Sequence, residues 1–343
     1  MGCSCSKNPL KENENEEVKF ETQEQIKVLN TNSNNNEDQI EKNDCNNENF
    51  NEFQNQPIIT QKCEVKDDFQ KSLKSISNID NSIPLEKELK LVLSTYEPIN
   101  DGVEVEIRDP ITFQNNSTYY GEWDKKKNVK HGRGIQKWDS GYKYEGQWKN
   151  DIANGKGKLT HPNGDTYTGE WEDNKPNGKG EYIRKGISKY IGGWKDDKQE
   201  GEGEERWENG DEFKGKYLNG KKNGYGVFKW SDGNCYEGNY QNNLMEGRGK
   251  YTYSDGKIYE GEWVKGKIEG KGIIVGKDGS KYEGEFKDGK RDGFGIFTPS
   301  KGSIYKGEWK FGKKHGNGEV FLEKEQIWKK GIWEFGKLIK WIE

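Results

Sequence analysis

The residues best placed to do chemistry stand at the start of the chain. In Met1-Gly2-Cys3-Ser4-Cys5-Ser6-Lys7 a glycine follows the first methionine and a serine stands four residues beyond it, the spacing of an N-myristoylation signal. Removal of Met1 exposes the Gly2 amine for acylation, and Cys3 and Cys5 lie beside it as acceptors for S-palmitoylation. One myristoyl chain binds a bilayer only marginally, at about 10⁴ M⁻¹, so stable attachment requires a second signal. A polybasic patch cannot supply it, because Lys7 and Lys11 run directly into Glu12, Glu14, Glu16 and Glu17, which an anionic membrane repels. Two acyl chains are therefore expected.

Other chemistries find less support. Cys3, Cys5, Cys45, Cys63 and Cys235 include no CxxC pair, and no histidine stands at ligand spacing, so neither zinc nor a disulfide framework is expected. Gly-x-Gly units are frequent, yet none continues to the third glycine of a dinucleotide loop and none leads to a P-loop lysine. Residues 196–207 have a glycine at the sixth place of a calcium loop, but Lys198 and Trp207 stand where ligands are needed. His131 and His315 hold the same place before a Gly-x-Gly and read as polar loop residues. No cofactor, metal or catalytic residue is expected.

The elements that position these residues emerge from self-comparison. An aromatic-x-Gly-x-aromatic unit recurs with its glycine at 121, 146, 169, 192, 215, 238, 261, 284 and 307, one interval of 25 followed by seven of 23. Each unit then supplies a Gly-x-Gly, from 132/134 to 316/318. Many close on Asn-Gly or Asp-Gly, such as Asn163-Gly164 or Asp255-Gly256, expected as two-residue type I′ turns. A degenerate tenth unit contains Gly331-Ile332-Trp333. Side chains alternate along a strand, so Tyr, Gly and Trp at i, i+2 and i+4 share one face, and the glycine leaves room for a ring to lie across the backbone. Each unit is thus strand, loop, strand, turn.

This pattern resembles the MORN (membrane occupation and recognition nexus) repeat, whose Tyr-x-Gly-x-Trp core and Gly-x-Gly are matched unit by unit over residues 119–318. The resemblance implies an all-β fold, an elongated single-layer antiparallel sheet of tandem 23-residue hairpins. It also implies a non-enzymatic role. In junctophilin-like tethers, plant phosphoinositide kinases, SET-domain methyltransferases and radial-spoke-head proteins the repeats bind or scaffold while other domains carry the chemistry.

Charge and composition complete the division of the chain. Residues 1–96 hold 11 Lys against 18 acids, whereas residues 119–343 hold 44 Lys and Arg against 37 acids and all twelve Trp. Residues 1–82 read as a disordered, acidic, Asn-rich tail whose composition buries too little to offset chain entropy. Val65, Phe69, Leu73 and Ile76 nevertheless show helical spacing. Residues 83–118 read as a short amphipathic helix (Leu85, Leu89, Val92, Leu93, Tyr96, with Pro84 in the first turn) and a linker, and 119–343 as the array with its degenerate cap. The helix is expected either to bind a partner or to cover the exposed edge strand of the first unit.

Within the array, the loops between the aromatic unit and the Gly-x-Gly fall on one edge. In the last three units they carry Lys265, Lys267, Lys287, Lys290, Arg291, Lys310, Lys313 and Lys314, a candidate surface for anionic lipid or an acidic partner. Nucleic acid is not expected, because acids interleave with the bases and no nucleic-acid-binding module is present. The functional expectation is a scaffold held by acyl chains on the cytoplasmic face of a membrane, binding anionic phospholipid or proteins the sequence does not identify. The alternatives are a ciliary or cytoskeletal spacer, and a regulatory subunit of an enzyme acting in trans.

Overall fold

The computed structural model describes residues 83–342. Gly2, Cys3, Cys5 and the helical spacing over 65–76 lie outside these residues. The described chain divides after Lys221 into two compact units, each built on the same plan.

The first unit opens with α1 (Leu85–Thr95), β1 (Val105–Ile107) and β2 (Ile111–Thr112), then runs through the hairpin strands from β3 (Thr118–Asp124) and β4 (Lys130–Lys137) to β11 (Glu212–Leu218). The second holds the strands from β12 (Lys221–Lys229) to β22 (Lys337–Ile342). In each, consecutive strands pair antiparallel in an open, single-layered sheet of tandem hairpins. The fold is all-β.

Register explains the glycines. In the first unit Gly121 pairs with Gly134, Gly134 with Gly146, Gly146 with Gly157 and Gly157 with Gly169, so one row of glycines crosses the strands. The tyrosine of each repeat lies flat over that row. A Cβ on Gly157 would sit 2.3 Å from Tyr144 Oη and 2.5 Å from its Cζ. The ring is held there by its hydroxyl, which donates to the carbonyl three residues on: Tyr144 to Gln147 at 3.0 Å, Tyr167 to Glu170 at 2.9 Å, Tyr305 to Glu308 at 2.9 Å. Beside it, the tryptophan indole donates back to the preceding repeat, Trp148 to Gly134 O at 3.3 Å and Trp171 to Gly157 O at 3.1 Å. Trp148, Trp171, Trp194, Trp263 and Trp309 therefore each meet two tyrosines edge to face, as Trp171 meets Tyr144 at 5.1 Å and Tyr167 at 5.2 Å. This herringbone of rings is the core. Trp123, in the first repeat, has no preceding Gly-x-Gly to donate to, and its buried Nε1 lacks a hydrogen-bond partner.

Three expectations need correction. The Asn-Gly and Asp-Gly dipeptides do not form type I′ turns. At 161–165 the Gly164 N–H donates to His161 O and the His161 N–H to Asp165 O, and of the pair only Gly164 has positive φ, 91°. The reason is the Asn163 side chain, whose Oδ1 accepts from the Asp165 N–H at 2.9 Å and holds Asn163 at negative φ. Asn209, Asp232, Asp255 and Asp278 make the same bond two residues ahead. The two-residue turns with positive φ at both places lie inside the repeats from the second onward, for example Asn150-Asp151 and Asp288-Gly289.

Likewise α1 does not cover the sheet edge. Leu89 and Val92 pack on Ile135, with Leu93, Tyr96 and Tyr120 around them, on the face opposite the rings. Arg133 fixes the helix by donating to Leu93 O and Tyr96 O. The edge of β3 is instead taken by β1 and β2 from the stretch read as linker, with Ile107 opposite Glu122 and Ile111 opposite Tyr119. Pro84 stands one place before the first helical residue, Leu85, rather than within the first turn.

Candidate functional site

Within each unit the two-residue turns project as a row of tips along one edge, and neighbouring tips are bonded to each other. Gly289 N–H donates to Ile268 O at 3.0 Å, Gly312 to Arg291 O at 2.9 Å and Gly336 to Lys314 O at 2.8 Å. A side chain adds a second stitch, in one of two ways. Where the second turn residue is Asp151, Asn174 or Asn243, its carbonyl or carboxylate oxygen accepts from the backbone N–H of Lys130, Ala153 or Lys222 in the repeat before. Where the second residue is Gly220, Gly266, Gly289 or Gly312, the acceptor comes from the other side. Glu200, Glu246, Glu269 and Asp292, each just before a Gly-x-Gly, accept from the N–H of Asn219, Lys265, Asp288 and Phe311. His315 takes the same role toward Phe335, at 3.5 Å. These acids, and His315, are structural stitches. So are Glu122, Gln147, Glu285 and Glu308, which accept from the middle N–H of the next Gly-x-Gly.

With those groups accounted for, the side chains of the tips stand out by their change along the chain. In the first unit the turn residues are Asn150-Asp151, Asp173-Asn174, Asp196-Asp197 and Asn219-Gly220; in the second, the last four tips read Lys265-Gly266, Asp288-Gly289, Phe311-Gly312 and Phe335-Gly336. Lysines flank the last three: Lys287 pairs across the strands with Lys290, Lys310 with Lys313, and Glu334 with Lys337. Like charges placed directly opposite are destabilising. The first unit has one such pair at its tips, Lys195 with Lys198, around the acids Asp196 and Asp197; in the second unit two successive pairs form, and the later one encloses no acid.

Of the eight basic residues expected on this edge, Lys265, Lys267, Lys287, Lys290, Lys310 and Lys313 are exposed at the tips. Lys267 also faces Asp288 at 3.0 Å. Arg291 and Lys314 turn inward instead. They occupy the place two residues before the Gly-x-Gly, whose side chain lies on the ring face, and Ala153, Met245 and Ile268 are fully buried at equivalent positions. The Arg291 guanidinium stands 4.8 Å from the Trp309 ring centroid and 5.3 Å from that of Tyr282, and Lys314 Nζ is 5.0 Å from Tyr305. These are cation–π lids on the core rather than members of an outward patch. In the first unit Lys130 has the same place, 4.0 Å over Trp148, and burial pushes its ammonium down to about 8.

The sequence reading missed Phe311, Phe335 and Lys337. The signal was available, since aligning the repeats sets Phe311 and Phe335 in the column occupied by Asn150, Asp173, Asn219 and Asn242. The ring face itself is closed: Tyr144, Tyr167, Tyr236, Tyr259 and Tyr305 are fully buried, and burial raises each phenol well above its usual range.

Fold and edge together define a tandem-hairpin platform whose aromatic face serves its own packing and whose tips remain for contact. The chain belongs to the MORN-repeat family: the MORN repeat model matches nine segments, beginning at 119–141 and ending at 305–319, that together span more than half of it. The repeats mark it as a repeat-based binding or scaffold protein. No curated protein matches the chain. Among solved structures it is similar to the TCP domain of SAS-4 (dCPAP) from Drosophila melanogaster, solved with a proline-rich motif of Ana2 (dSTIL), at 14% identity and a TM-score of 0.30, covering 46% of this chain and 86% of that one. It is also similar to a streptogramin B lyase at 13% identity and a TM-score of 0.16, covering 69% of this chain and 87% of the lyase. Likeness at these scores carries no functional argument.

Proposed function

We propose that the protein is a membrane-associated scaffold, held to the cytoplasmic face of a bilayer by acyl chains on Gly2 and on Cys3, Cys5 or both, with the tip edge of its second unit against anionic phospholipid. The observation that carries this reading is the pairing of Lys287 with Lys290 and Lys310 with Lys313 at successive exposed tips, the second enclosing Phe311 and no acid, because cations set opposite one another there are stabilised by an anionic surface. Near such a surface each lysine contributes up to about 1 kcal/mol. The acylation motif at Gly2, Cys3 and Cys5 supports the same reading independently, because acyl chains would supply attachment that lysines alone would not.

Vesicle flotation tests the edge. The full chain carrying Gly2→Ala, and so lacking myristate, is expected to float with phosphatidylserine vesicles and not with phosphatidylcholine vesicles. Charge reversal of Lys287, Lys290, Lys310 and Lys313 to Glu should abolish flotation. Failure of the parent chain to bind would remove the lipid reading and leave the cytoskeletal spacer as the better account.

A further inference from the structure

We infer that Phe311 and Phe335 are membrane wedges, aromatic side chains that enter the headgroup and glycerol layer while the lysines beside them meet lipid phosphates. This rests on the reading of the edge as a bilayer-binding surface. Both side chains stand at the extremity of their hairpins, Phe311 62% and Phe335 50% exposed. Both have left-handed backbone, φ 51° and 44°, a conformation unfavourable to any residue with a Cβ and tolerated best by Asn and Asp. The chain uses those residues for the job elsewhere, at Asn150, Asp173, Asp196, Asn219, Asn242 and Asp288. Phe suits the turn less well than Asn, and neither ring enters the core: Phe335 leans on His315 at 4.9 Å and Lys310 Nζ stands 5.9 Å from the Phe311 ring, yet at least half of each side chain remains open to an occupant outside the sheet.

The surroundings select the occupant. The two tips are neighbours, joined by the Gly336 N–H to Lys314 O bond at 2.8 Å, while Asp292 holds the Phe311 N–H and His315 that of Phe335. Lys310 and Lys313 flank the first ring and Lys337 follows the second. An apolar point between ammonium groups, repeated at the next tip, matches the interfacial layer of an anionic bilayer, where aromatic rings bury their faces and lysine stems reach the phosphates.

The test uses Phe311→Asn and Phe335→Asn, singly and together, in the full chain carrying Gly2→Ala. Asn is native to this turn column, so the fold survives, and thermal melts are expected to stay level or rise. Affinity for phosphatidylserine vesicles should fall about tenfold for each Phe removed, with the salt dependence unchanged because no lysine is touched. A charge-reversed chain that loses binding while the Asn variants keep full affinity would overturn the wedge and leave the electrostatic reading standing. Loss of affinity for a protein partner rather than for vesicles would overturn it as well, and a parent chain that binds no vesicle would remove both readings.

Discussion

Pro176 stands where other repeats present a backbone N–H to a turn side chain, and so leaves Asp197 Oδ1 buried without a hydrogen-bond partner. The equivalent bonds run from Ala153 N–H to Asn174 Oδ1 at 2.8 Å and from Lys222 N–H to Asn243 Oδ1 at 2.7 Å. Proline has no N–H to give. Burial without compensation raises the Asp197 carboxyl to about 6, against the pull of Lys175.

Because the folded-state pKa lies above the unfolded value, this carboxyl costs nothing below about pH 4, and its penalty grows as pH rises toward 6 and is complete above it. Asp197→Asn is therefore expected to stabilise the protein at pH 7 by about 1 kcal/mol, a figure reduced for the partial exposure of the group. The gain should vanish at pH 4. Pro176→Ala restores the donor, so in its background the Asn substitution should gain much less. Melts across pH of the two single variants and the double variant check all three expectations.

The aromatic ladder gives a graded series. Trp171→Ala removes a buried indole from between Tyr144 and Tyr167 and should cost about 3–5 kcal/mol. Trp171→Phe keeps a ring, as Phe286 does natively in its own repeat, and loses chiefly the bond to Gly157 O, about 1 kcal/mol. Chemical denaturation monitored by circular dichroism measures both.

At Gly157 space decides. Alanine there meets the Tyr144 ring at Oη and Cζ together, so Gly157→Ala should destabilise by about 1–3 kcal/mol. Tyr144→Phe should not rescue it, since the ring carbon remains in place after the hydroxyl has gone. Rescue would mean that the hydroxyl alone sets the fit.

The two ways of stitching neighbouring tips should be interchangeable. Glu246→Ala removes the acceptor for the Lys265 N–H and should cost about 1 kcal/mol. Adding Gly266→Asn supplies a side chain at the place of Asn243, able to accept from the Met245 N–H, and should recover most of the loss. Gly266→Asn made alone, with Glu246 intact, should gain little. Denaturation midpoints of the single and double variants settle the exchange.

Much of this was legible in the chain itself. The 23-residue period, the shared face of Tyr144, Gly146 and Trp148, and the room left at glycine follow from strand alternation, and the structure places them accordingly. The turns were misread because Asn163-Gly164 carries the composition of a type I′ pair, while the choice was made by a bond from the Asp165 N–H to the Asn163 side chain. The basic edge was partly legible. Lys287, Lys290, Lys310 and Lys313 stand at tips, but Arg291 and Lys314 lie over rings, and strand parity from Gly293 and Gly316 would have assigned them to the ring face. Phe311 and Phe335 escaped notice because attention to charge passes over an aromatic in a loop. The helix over Ile135 could not be located from periodicity, which shows an apolar stripe without naming the surface that receives it.

Hydrogen exchange of the full chain, with and without phosphatidylserine vesicles, tests the central claim most directly. The account predicts slowed exchange confined to the tip segments 264–267, 287–290, 310–313 and 334–337, with the first-unit tips 150–151, 173–174 and 196–197 unchanged. Protection spread along the first-unit tips, or none at 310–313 and 334–337 while vesicles are bound, would contradict it.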